Sequence, residues 1–388
     1  MSPSIIGWGH SVFGKRLETL EQLIVGVVRE AIAHAGLAAE DIDEIVLGHF
    51  NAGFSRQDFT AALALQADPA LRFRPATRVE NACASGAAAV FAGLRAIEAG
   101  HARTVLVIGA EKMTDTRGAQ VGENLQRAAY LEEEGDIAGG FAGIFGRIAG
   151  GYVERYGELS DALAMIAAKN HRNGASNPFA QMQKDLGYAF CREESERNPI
   201  VAGPLKRTDC SLVSDGAAAL VLASDAFAAE AQRAVRVRAR VHVQDFFPMS
   251  RRDILAFEGC TRAWGAALSA AGVALNDLSL VETHDCFTIA ELIEYEAMGL
   301  TAPGDGARAI REGWTQIGGR LPVNASGGLK AKGHPIGATG VSMHVLSAMQ
   351  LCGVAPAGIQ IPNATLAGVF NMGGAAVANY ASILERVR

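Results

Sequence analysis

The sequence has no excess of positive charge, no hydrophobic run long enough to cross a membrane and no leader-like start. Its 35 Lys and Arg residues face 41 Asp and Glu residues, a formal net charge of −6, which gives no support to a nucleic-acid binder. The longest apolar stretch, residues 137–148, is shorter than the roughly 18–20 residues of a membrane span and contains Arg147. Residues 1–16 lack the basic and apolar regions of a signal peptide. We therefore expect a cytoplasmic protein with no membrane or nucleic-acid partner.

Several common cofactor and metal motifs are also absent. The cysteines form no Cys-x-x-Cys pair and no zinc-ribbon spacing, which is typical of a reduced compartment; they are Cys83, Cys191, Cys210, Cys260, Cys286 and Cys352. There is no Walker A sequence, and Gly7-x-Gly9 does not continue as a dinucleotide fingerprint. ATP and nicotinamide chemistry are therefore not expected, nor is a permanently bound cofactor.

The length and composition indicate a folded chain of more than one unit. A chain of 388 residues with 49% hydrophobic residues is long enough for two or three subdomains. Its 44 glycines indicate many tight turns and close backbone contacts. The sequence contains no polar or repetitive tract of the kind that is typical of disordered segments.

The chain repeats itself. Residues 35–46 are echoed by residues 271–282, with Gly36 matching Gly272 and Asp41 matching Asp277. Each copy is typical of a helix, a glycine stop, a short acidic turn and an apolar strand. Because helices and strands alternate, two copies of one α/β unit with a mixed sheet covered by helices are predicted.

A long insertion separates the parts of the first copy. Residues 81–86 are echoed by residues 324–327, and residues 215–222 by residues 373–380. The interval between these echoes is much longer in the first copy than in the second. We therefore divide the chain into an N-terminal half (residues 1–112 with 208–230), an inserted loop domain (113–207) and a C-terminal half (231–388).

Cys83 is the candidate nucleophile. It lies in Asn-Ala-Cys-Ala-Ser-Gly at the expected start of a helix that extends over the Ala-rich residues 87–100. The unpaired N–H groups and partial positive charge of a helix N-terminus favour a thiolate over a thiol. A small buried packing residue is the competing interpretation.

Two further clusters supply imidazoles and a second thiol. His334, in Gly-His-Pro-Ile-Gly, is the candidate base for Cys83. His284 follows an apolar strand and should emerge at the sheet edge, where its N–H can stabilise a thioester enolate. Cys286 can exchange a proton with the α-carbon of the substrate. The alternatives are structural turn histidines, or a metal pair at His284 and Cys286; because that pair lacks completing ligands, no metal is predicted.

The three clusters together resemble the signatures of thiolases. Cys83-Ala-Ser, His284-Asp-Cys-Phe and Gly333-His-Pro carry the resemblance, which extends over essentially the whole chain. His-Asp-Cys-Phe, where most thiolases have Asn-Glu-Ala-Phe, is similar to the sterol-carrier-protein-type branch. The resemblance implies a duplicated αβαβα fold with two similar five-stranded mixed-sheet halves, a homodimer or tetramer, and an inserted loop domain that helps to bind coenzyme A.

The resemblance also assigns roles. His284 and His334 would form a first oxyanion hole, and the backbone N–H groups of Cys83 and Gly373 a second. Asn371 occupies the position of the acid/base cysteine of most thiolases, and an amide cannot shuttle a proton, so Cys286 would take over that role.

The coenzyme A contacts and the acyl pocket are predicted less sharply. The candidate cations for phosphates are Lys169, His171, Arg172, Lys184, Lys330 and Lys332, any of which could instead belong to a solvated surface. Phe141, Phe145, Phe179 and Met182 are either the acyl pocket or core.

The predicted function is cleavage of a 3-ketoacyl-CoA by coenzyme A, or the reverse Claisen condensation, with coenzyme A as a substrate. Lipid metabolism, and fatty-acid β-oxidation in particular, is the expected setting. Two alternatives stay open: a ketoacyl-synthase-like condensing enzyme, and a partner-dependent acyl-CoA-binding or aldolase subunit that works with a small zinc-ribbon/OB-fold protein.

Overall fold

The computed structural model describes residues 3–388. The strands are β1 Ser4–His10, β2 Glu44–Gly48, β3 Ala76–Val79, β4 Thr104–Glu111, β5 Ile200–Ala202, β6 Leu205–Lys206, β7 Gly216–Ala223, β8 Val235–Gln244, β9 Leu280–Glu282, β10 Leu366–Gly373 and β11 Ala378–Arg386. Nine of them form one mixed sheet in the order β3-β2-β4-β7-β1-β8-β11-β10-β9, and β5 and β6 form a separate antiparallel pair.

The helices surround this sheet. They are α1 Leu20–Ala35, α2 Ser85–Glu98, α3 Ala119–Gln126, α4 Leu131–Glu134, α5 Gly140–Tyr156, α6 Ser160–Ala175, α7 Gly187–Arg192, α8 Asp225–Glu230, α9 Glu258–Ala271, α10 Thr288–Ala297, α11 Gly306–Arg311, α12 Gly328–Lys332 and α13 Ile336–Cys352. Short 3-10 turns cover Ala39–Asp41, Thr60–Ala67, Pro69–Leu71, Arg207–Asp209, Met249–Arg251 and Leu275–Asp277. Within residues 3–388, no helix combines the length and the hydropathy that a membrane crossing requires.

The two halves of the molecule share the sheet. The first half contributes five strands, as expected, but the second contributes four, with an isolated parallel bridge between Val281 and Val323. The halves are joined because β1 pairs with β8 at Ser4–Arg236 and Ile5–Val235. The sheet is therefore continuous across the two halves.

Helices bury both faces of the first half. α1 packs on one face, while α2 and α13 pack on the other, and α9 covers β8 and β11 of the second half. Every residue of β4 and β7 is buried. This explains why both strands are continuous apolar runs instead of alternating sequences.

The sequence repeat corresponds to a structural repeat. α1 ends at Gly36 and α9 at Gly272, each with a positive φ (+70° and +63°) that suits glycine. A 3-10 turn follows in each copy, and the Asp41 and Asp277 carboxylates accept hydrogen bonds from the backbone N–H three residues earlier, at 2.9 and 2.8 Å. The same residues therefore build the same turn twice.

The insertion lies between two antiparallel neighbours. Residues 112–215 connect β4 to β7, whereas residues 374–377 connect the corresponding pair β10 and β11. The long connection carries α3 to α7 and the β5–β6 pair, and its helix α6 packs against α10 and α12 of the second half.

Close contact between α2 and α13 brings two loops of different halves together. A Cβ on Gly86 would lie 2.7 Å from the Gly340 backbone nitrogen, and one on Gly340 would lie 2.2 Å from the Ala87 nitrogen. Only glycine at both positions permits this approach. Since Cys83 and His334 each lie two residues before one of these helices, the contact places their loops side by side.

Candidate active site

Cys83 lies in a strained turn before α2. Ala82 has a φ of +48°, a left-handed conformation that is costly for a residue other than glycine. Ser85 holds the turn, because its hydroxyl donates to the Ala82 carbonyl at 2.7 Å and accepts from the Asn81 N–H at 2.9 Å. The turn presents the Cys83 side chain to a cavity between the two halves.

The resting Cys83 side chain is a thiol. Burial raises its pKa to about 12, although a hydrogen bond from the Gly374 N–H favours the thiolate. α2 begins two residues after Cys83, and desolvation outweighs the helix N-terminus that was expected to favour the thiolate. The backbone N–H of Cys83 itself also favours the thiolate, and the part of the Gly373 N–H in a second oxyanion hole stays a prediction. To act as a nucleophile, Cys83 would therefore need a base to take its proton.

His284 presents an N–H donor. Its Nδ1 lies 2.9 Å from Asn371 Nδ2, which also donates to the Cys83 carbonyl at 3.0 Å. Because a carbonyl only accepts, this second bond orients the Asn371 amide and makes His284 Nδ1 an acceptor. The imidazole proton therefore sits on Nε2, which is buried without a protein partner among the described residues. Burial, and then the neighbouring His334, hold the pKa of His284 well below its usual value, so the ring is neutral.

His334 has the opposite tautomer. Its Nδ1 lies 2.7 Å from the Thr339 hydroxyl, which donates its own proton to the Pro335 carbonyl at 3.2 Å. Thr339 must therefore accept from Nδ1–H, which leaves a lone pair on Nε2, again without a partner in residues 3–388. Burial, and then Lys332, lower the pKa of His334 to about 3. The ring is a neutral acceptor, and an anion forming beside it would raise that pKa.

Cys83, His284 and His334 form a compact group, called here the Cys/His cluster. The two rings are edge to face with centroids 5.1 Å apart, and one nitrogen of each ring lies within 4.8 Å of the other and of the Cys83 sulfur. One sulfur and two imidazoles are also ligands that Zn²⁺ accepts. The metal pair considered from the sequence was His284 with Cys286. In the structure the possible ligands beside His284 are Cys83 and His334, and Cys286 does not belong to the group. A metal in this position would occupy the nucleophile.

Cys286 lies on the wall of the same cavity, in the loop between β9 and α10. Its carbonyl accepts a hydrogen bond from the Ser211 N–H at 2.9 Å, which joins the His-Asp-Cys-Phe loop to the segment before β7. Burial, and then the nearby Cys83, raise the pKa of the Cys286 thiol well above its usual value. Cys286 is therefore protonated at rest and can donate a proton.

The cavity has a volume of about 420 Å³ and combines a reactive end with apolar walls. Cys83, Cys286 and His334 lie at the reactive end. Leu125 and Phe141, from the long connection between β4 and β7, belong to the walls. This arrangement suits an apolar chain attached to a reactive carbonyl.

Only one of the four residues expected near the acyl pocket lines the cavity beside Cys83. Phe141 lines the cavity, whereas Phe145 is fully buried behind it and stacks on Phe287 with centroids 4.4 Å apart. Phe179 contacts the His10 ring at a tilt, with centroids 4.7 Å apart, and Met182 lines a second cavity. Phe145 and Phe179 are therefore packing residues.

The second cavity is basic. It has a volume of about 480 Å³ and shares Arg207 and Leu212 with the first. Its cationic lining residues are Lys184, Arg197, Arg207 and Lys330. His171 also lines it and is fully buried, with neither ring nitrogen hydrogen-bonded to a described residue. Of the predicted phosphate contacts, His171, Lys184 and Lys330 thus lie together.

The other cations lie elsewhere. Lys169 is fully buried, and its ammonium contacts Glu291 and donates to the Val323 carbonyl at 2.8 Å. Lys332 is also fully buried and lines neither cavity. Arg172 is exposed beside Asp185 at 3.9 Å. The placement of the two lysines does not fit the prediction that they meet phosphates, because their ammonium groups face the protein interior.

Sequence reasoning missed the residues that orient the site. Thr339 sets the tautomer of the His334 ring, and the Ser214 hydroxyl accepts a hydrogen bond from the His334 backbone N–H at 2.9 Å. Arg207 lines both cavities. The Glu111 carboxylate accepts from the N–H groups of Phe50 and Gly337, both at 3.0 Å, and so joins the β2 loop to the start of α13. Only Thr339 had a local signal, as the first hydroxyl after Gly-His-Pro. The others come from distant segments.

Comparison with protein families agrees with this geometry. A model described as "Thiolase, N-terminal domain" matches residues 5–226, and one described as "Thiolase C-terminal domain-like" matches residues 242–386. The chain belongs to the thiolase family, which confirms the prediction made from its three motifs.

Individual relatives point to two groups within that family. The chain is 35% identical over 376 residues to an "Acetyl-CoA acetyltransferase" of Methanothermobacter thermautotrophicus, covering 96% of both chains. It is 33% identical over 315 residues to human "Sterol carrier protein 2", covering 77% of this chain and 56% of that protein. The second similarity agrees with the branch that the His-Asp-Cys-Phe motif indicates.

A solved structure supports the fold. The structure titled "Ltp2-ChsH2(DUF35) aldolase" superposes with a TM-score of 0.84 at 22% identity, covering all of this chain and 98% of that chain. The predicted thiolase-like α/β fold is therefore confirmed, with the change in strand number described above.

Proposed function

We propose that this protein is a thiolase that transfers an acyl group between a 3-ketoacyl-CoA and coenzyme A through an acyl-Cys83 intermediate. The observation that carries the proposal is the pair of opposite histidine tautomers beside Cys83. One ring offers a lone pair for the thiol proton, and the other offers an N–H to an oxyanion. Acyl transfer from a thioester needs both at once.

In the first half-reaction, the Cys83 sulfur attacks the 3-keto carbon while His334 Nε2 takes the thiol proton. The tetrahedral alkoxide then collapses, the bond between the α and β carbons breaks, and the electron pair becomes the thioester enolate. His284 Nε2–H donates to the enolate oxygen. The Cys286 thiol gives its proton to the α-carbon, which releases acetyl-CoA or its α-substituted form and leaves the shortened acyl group on Cys83.

In the second half-reaction, free coenzyme A takes the acyl group. Cys286, now a thiolate, removes the proton from the coenzyme A thiol, and the resulting thiolate attacks the acyl-Cys83 carbonyl. The Cys83 sulfur leaves and recovers its proton from His334. Both thiols and both imidazoles return to their resting states, and the reverse sequence is Claisen condensation.

The two cavities divide the substrate by chemistry. The apolar cavity beside Cys83 takes the acyl chain. The phosphates of coenzyme A lie toward the basic cavity, with His171 and Lys330 inside it and Arg207 at the junction. This division is supported by the adjacency of the two cavities, both of which are lined by Arg207 and Leu212.

Oligomeric state and setting belong to the same proposal. The strand β3 lies at the edge of the sheet and, within the described chain, pairs only with β2. Phe73 is 85% exposed just before it. We propose a homodimer or tetramer in the cytoplasm, acting in lipid metabolism such as fatty-acid β-oxidation. Light scattering at micromolar concentration measures the assembly, and a monomer contradicts this part.

Cleavage of a chain-length series of 3-ketoacyl-CoAs tests the function. Cys83→Ala should abolish the acyl-enzyme, and Cys286→Ala should abolish turnover, because each removes a required thiol. Cys352→Ala is the matched control, since Cys352 lies at the end of α13, away from both cavities.

The outcomes separate the alternatives. Turnover that survives in Cys286→Ala favours a ketoacyl-synthase-like enzyme, which needs no second thiol. If the intact protein cleaves nothing alone but gains activity with a small zinc-ribbon/OB-fold protein, the partner-dependent subunit is correct. The aldolase complex among the similar folds makes that second measurement worthwhile.

A further inference from the structure

Asn170 lies in a buried polar network behind the Cys/His cluster. It belongs to the sequence Lys-Asn-His-Arg-Asn-Gly (169–174) on α6, and its side chain is fully buried. Its Nδ2 donates to Asp285 Oδ2 at 2.8 Å and to Glu291 Oε2 at 2.6 Å. One uncharged amide group thus uses both of its protons to hold two carboxylates in place.

Asp285 connects two catalytic loops. In the sequence it stands between His284 and Cys286. Its carboxylate accepts from the backbone N–H groups of Leu329 at 2.6 Å and Lys330 at 3.1 Å, in the first turn of α12. α12 ends at Lys332, and Gly333 and His334 follow directly. The Asp285 carboxylate therefore links the loop that carries His284 to the helix that leads into His334.

Gly328 permits this connection. Its φ is +58°, and a Cβ there would lie 2.2 Å from the Asp285 carboxylate oxygen. Any side chain at this position would push α12 away from Asp285. The contact is therefore close enough that a small movement of the carboxylate is transmitted to the helix.

Glu291 anchors the other end of the network. It lies on α10, and its Oε1 contacts the Lys169 ammonium. Its Oε2, which accepts from Asn170, also accepts from Asn324 Nδ2 at 3.0 Å. With Glu291 fixed in this way, the Asn170 amide has a rigid reference from which it orients Asp285.

We propose that Asn170 is a positioning residue for acyl transfer, which sets the distance between His284 and His334 through Asp285. The proposal rests on the proposed function for its kinetic test. It makes Asn170 part of the support of the active site, in addition to the contribution of His171 to the basic cavity.

Asn170→Ala tests the proposal, with Asn173→Ala as the matched control. Asn173 lies one turn further along α6, is also buried, and donates to the Asn324 carbonyl at 3.0 Å without contacting a carboxylate. Both variants lose one buried amide, so similar losses of thermal stability are expected. Asn170→Ala should also lower kcat by about 100-fold at an unchanged KM, since a misplacement of about 1 Å costs that much; Asn173→Ala should not.

A second measurement needs no substrate and therefore separates this proposal from the proposed function. Iodoacetamide alkylation of Cys83, followed by mass spectrometry of its peptide, reports how well His334 accepts the thiol proton. Asn170→Ala should slow it about tenfold or more, because a positioned general base contributes about 10²- to 10⁴-fold. Slower alkylation supports the proposal even if no 3-ketoacyl-CoA is cleaved.

Two results would overturn the proposal. One is an equal change of alkylation rate in Asn170→Ala and Asn173→Ala. The other is a raised KM with kcat unchanged, which indicates a binding role. If Asn170→Ala does not fold, Asp285→Asn replaces it. This variant keeps the side-chain volume, but its new NH₂ group faces N–H donors that the carboxylate accepted from, so those hydrogen bonds are lost. Unchanged alkylation in that variant would equally contradict the proposal.

Discussion

Thr339→Val tests whether a single hydroxyl sets the tautomer of His334. Valine and threonine have nearly the same shape, so the substitution leaves α13 packed and removes the acceptor of the His334 Nδ1–H together with the hydroxyl's own hydrogen bond to the Pro335 carbonyl. Thr339 is 1% exposed, so water does not readily replace that acceptor. The imidazole then has a buried donor without a partner whenever its lone pair points at Cys83.

The size of the effect follows from that unsatisfied donor. Leaving a buried N–H unpaired costs about 1–3 kcal/mol. The ring avoids this cost by moving its proton to Nε2, which removes the base. Reaching the active tautomer again requires the same free energy, and at about 1.4 kcal/mol for each tenfold in rate this predicts a kcat about 5- to 150-fold lower.

The assay is acyl transfer from a 3-ketoacyl-CoA, with alkylation of Cys83 measured in parallel. KM should not change, because Thr339 lines neither cavity. Thr339→Ser should restore most of the rate, since it keeps the hydroxyl. Ser347→Ala is a control on the same helix, because the buried Ser347 hydroxyl has no partner among the described residues. Full activity in Thr339→Val, or equal losses in the serine and valine variants, would refute the assignment of the tautomer.

Three further predictions concern the acyl cavity, acid stability and metal inhibition. Phe141→Ala should shift kcat/KM toward longer acyl chains, because it removes a ring from the cavity wall; an equal fall for every chain length would contradict this. Burial holds the pKa values of four histidines at about 3 to 4, so the folded chain stays unprotonated where the unfolded chain binds protons; they are His10, His171, His334 and His344. The free energy of unfolding should therefore fall as the pH drops from about 6.5 toward 4, by about 1.4 kcal/mol per pH unit for each histidine. Asp285 and Glu294 have raised pKa values and bind protons in the folded chain, so they offset part of this fall. Denaturant titrations measure it, and a stability that does not fall between pH 7 and 5 would show that the sign is wrong. Micromolar Zn²⁺ should inhibit by binding the Cys/His cluster and block alkylation of Cys83, with full recovery in EDTA; alkylation that is insensitive to Zn²⁺ would contradict this.

Local sequence was sufficient for the family, the duplication and the reactive side chains. The three motifs are short and contiguous, and the repeat rests on helix stops and turns that neighbouring residues determine. Gly36 and Gly272 illustrate this, since each ends its helix through its own backbone conformation. The insertion was also visible, because its length could be compared between two copies of one unit.

The tertiary structure decided the protonation states and the roles of the buried polar residues. Asn371 reads in the sequence as the loss of an acid/base cysteine, yet in the fold it sets the tautomer of His284. Lys169 reads as a surface cation, yet it is paired with Glu291 in the interior. Cys83 was expected to favour a thiolate, yet burial keeps it a thiol.

These properties have one physical reason in common. A tautomer or a pKa depends on which donors, acceptors and charges surround a group, and on how much water is excluded. In this chain the partners come from segments tens to hundreds of residues away. The sequence by itself determined which chemical groups are present and in what local turns they stand; only the folded chain determined which of them donate, which accept and which hold the others in place.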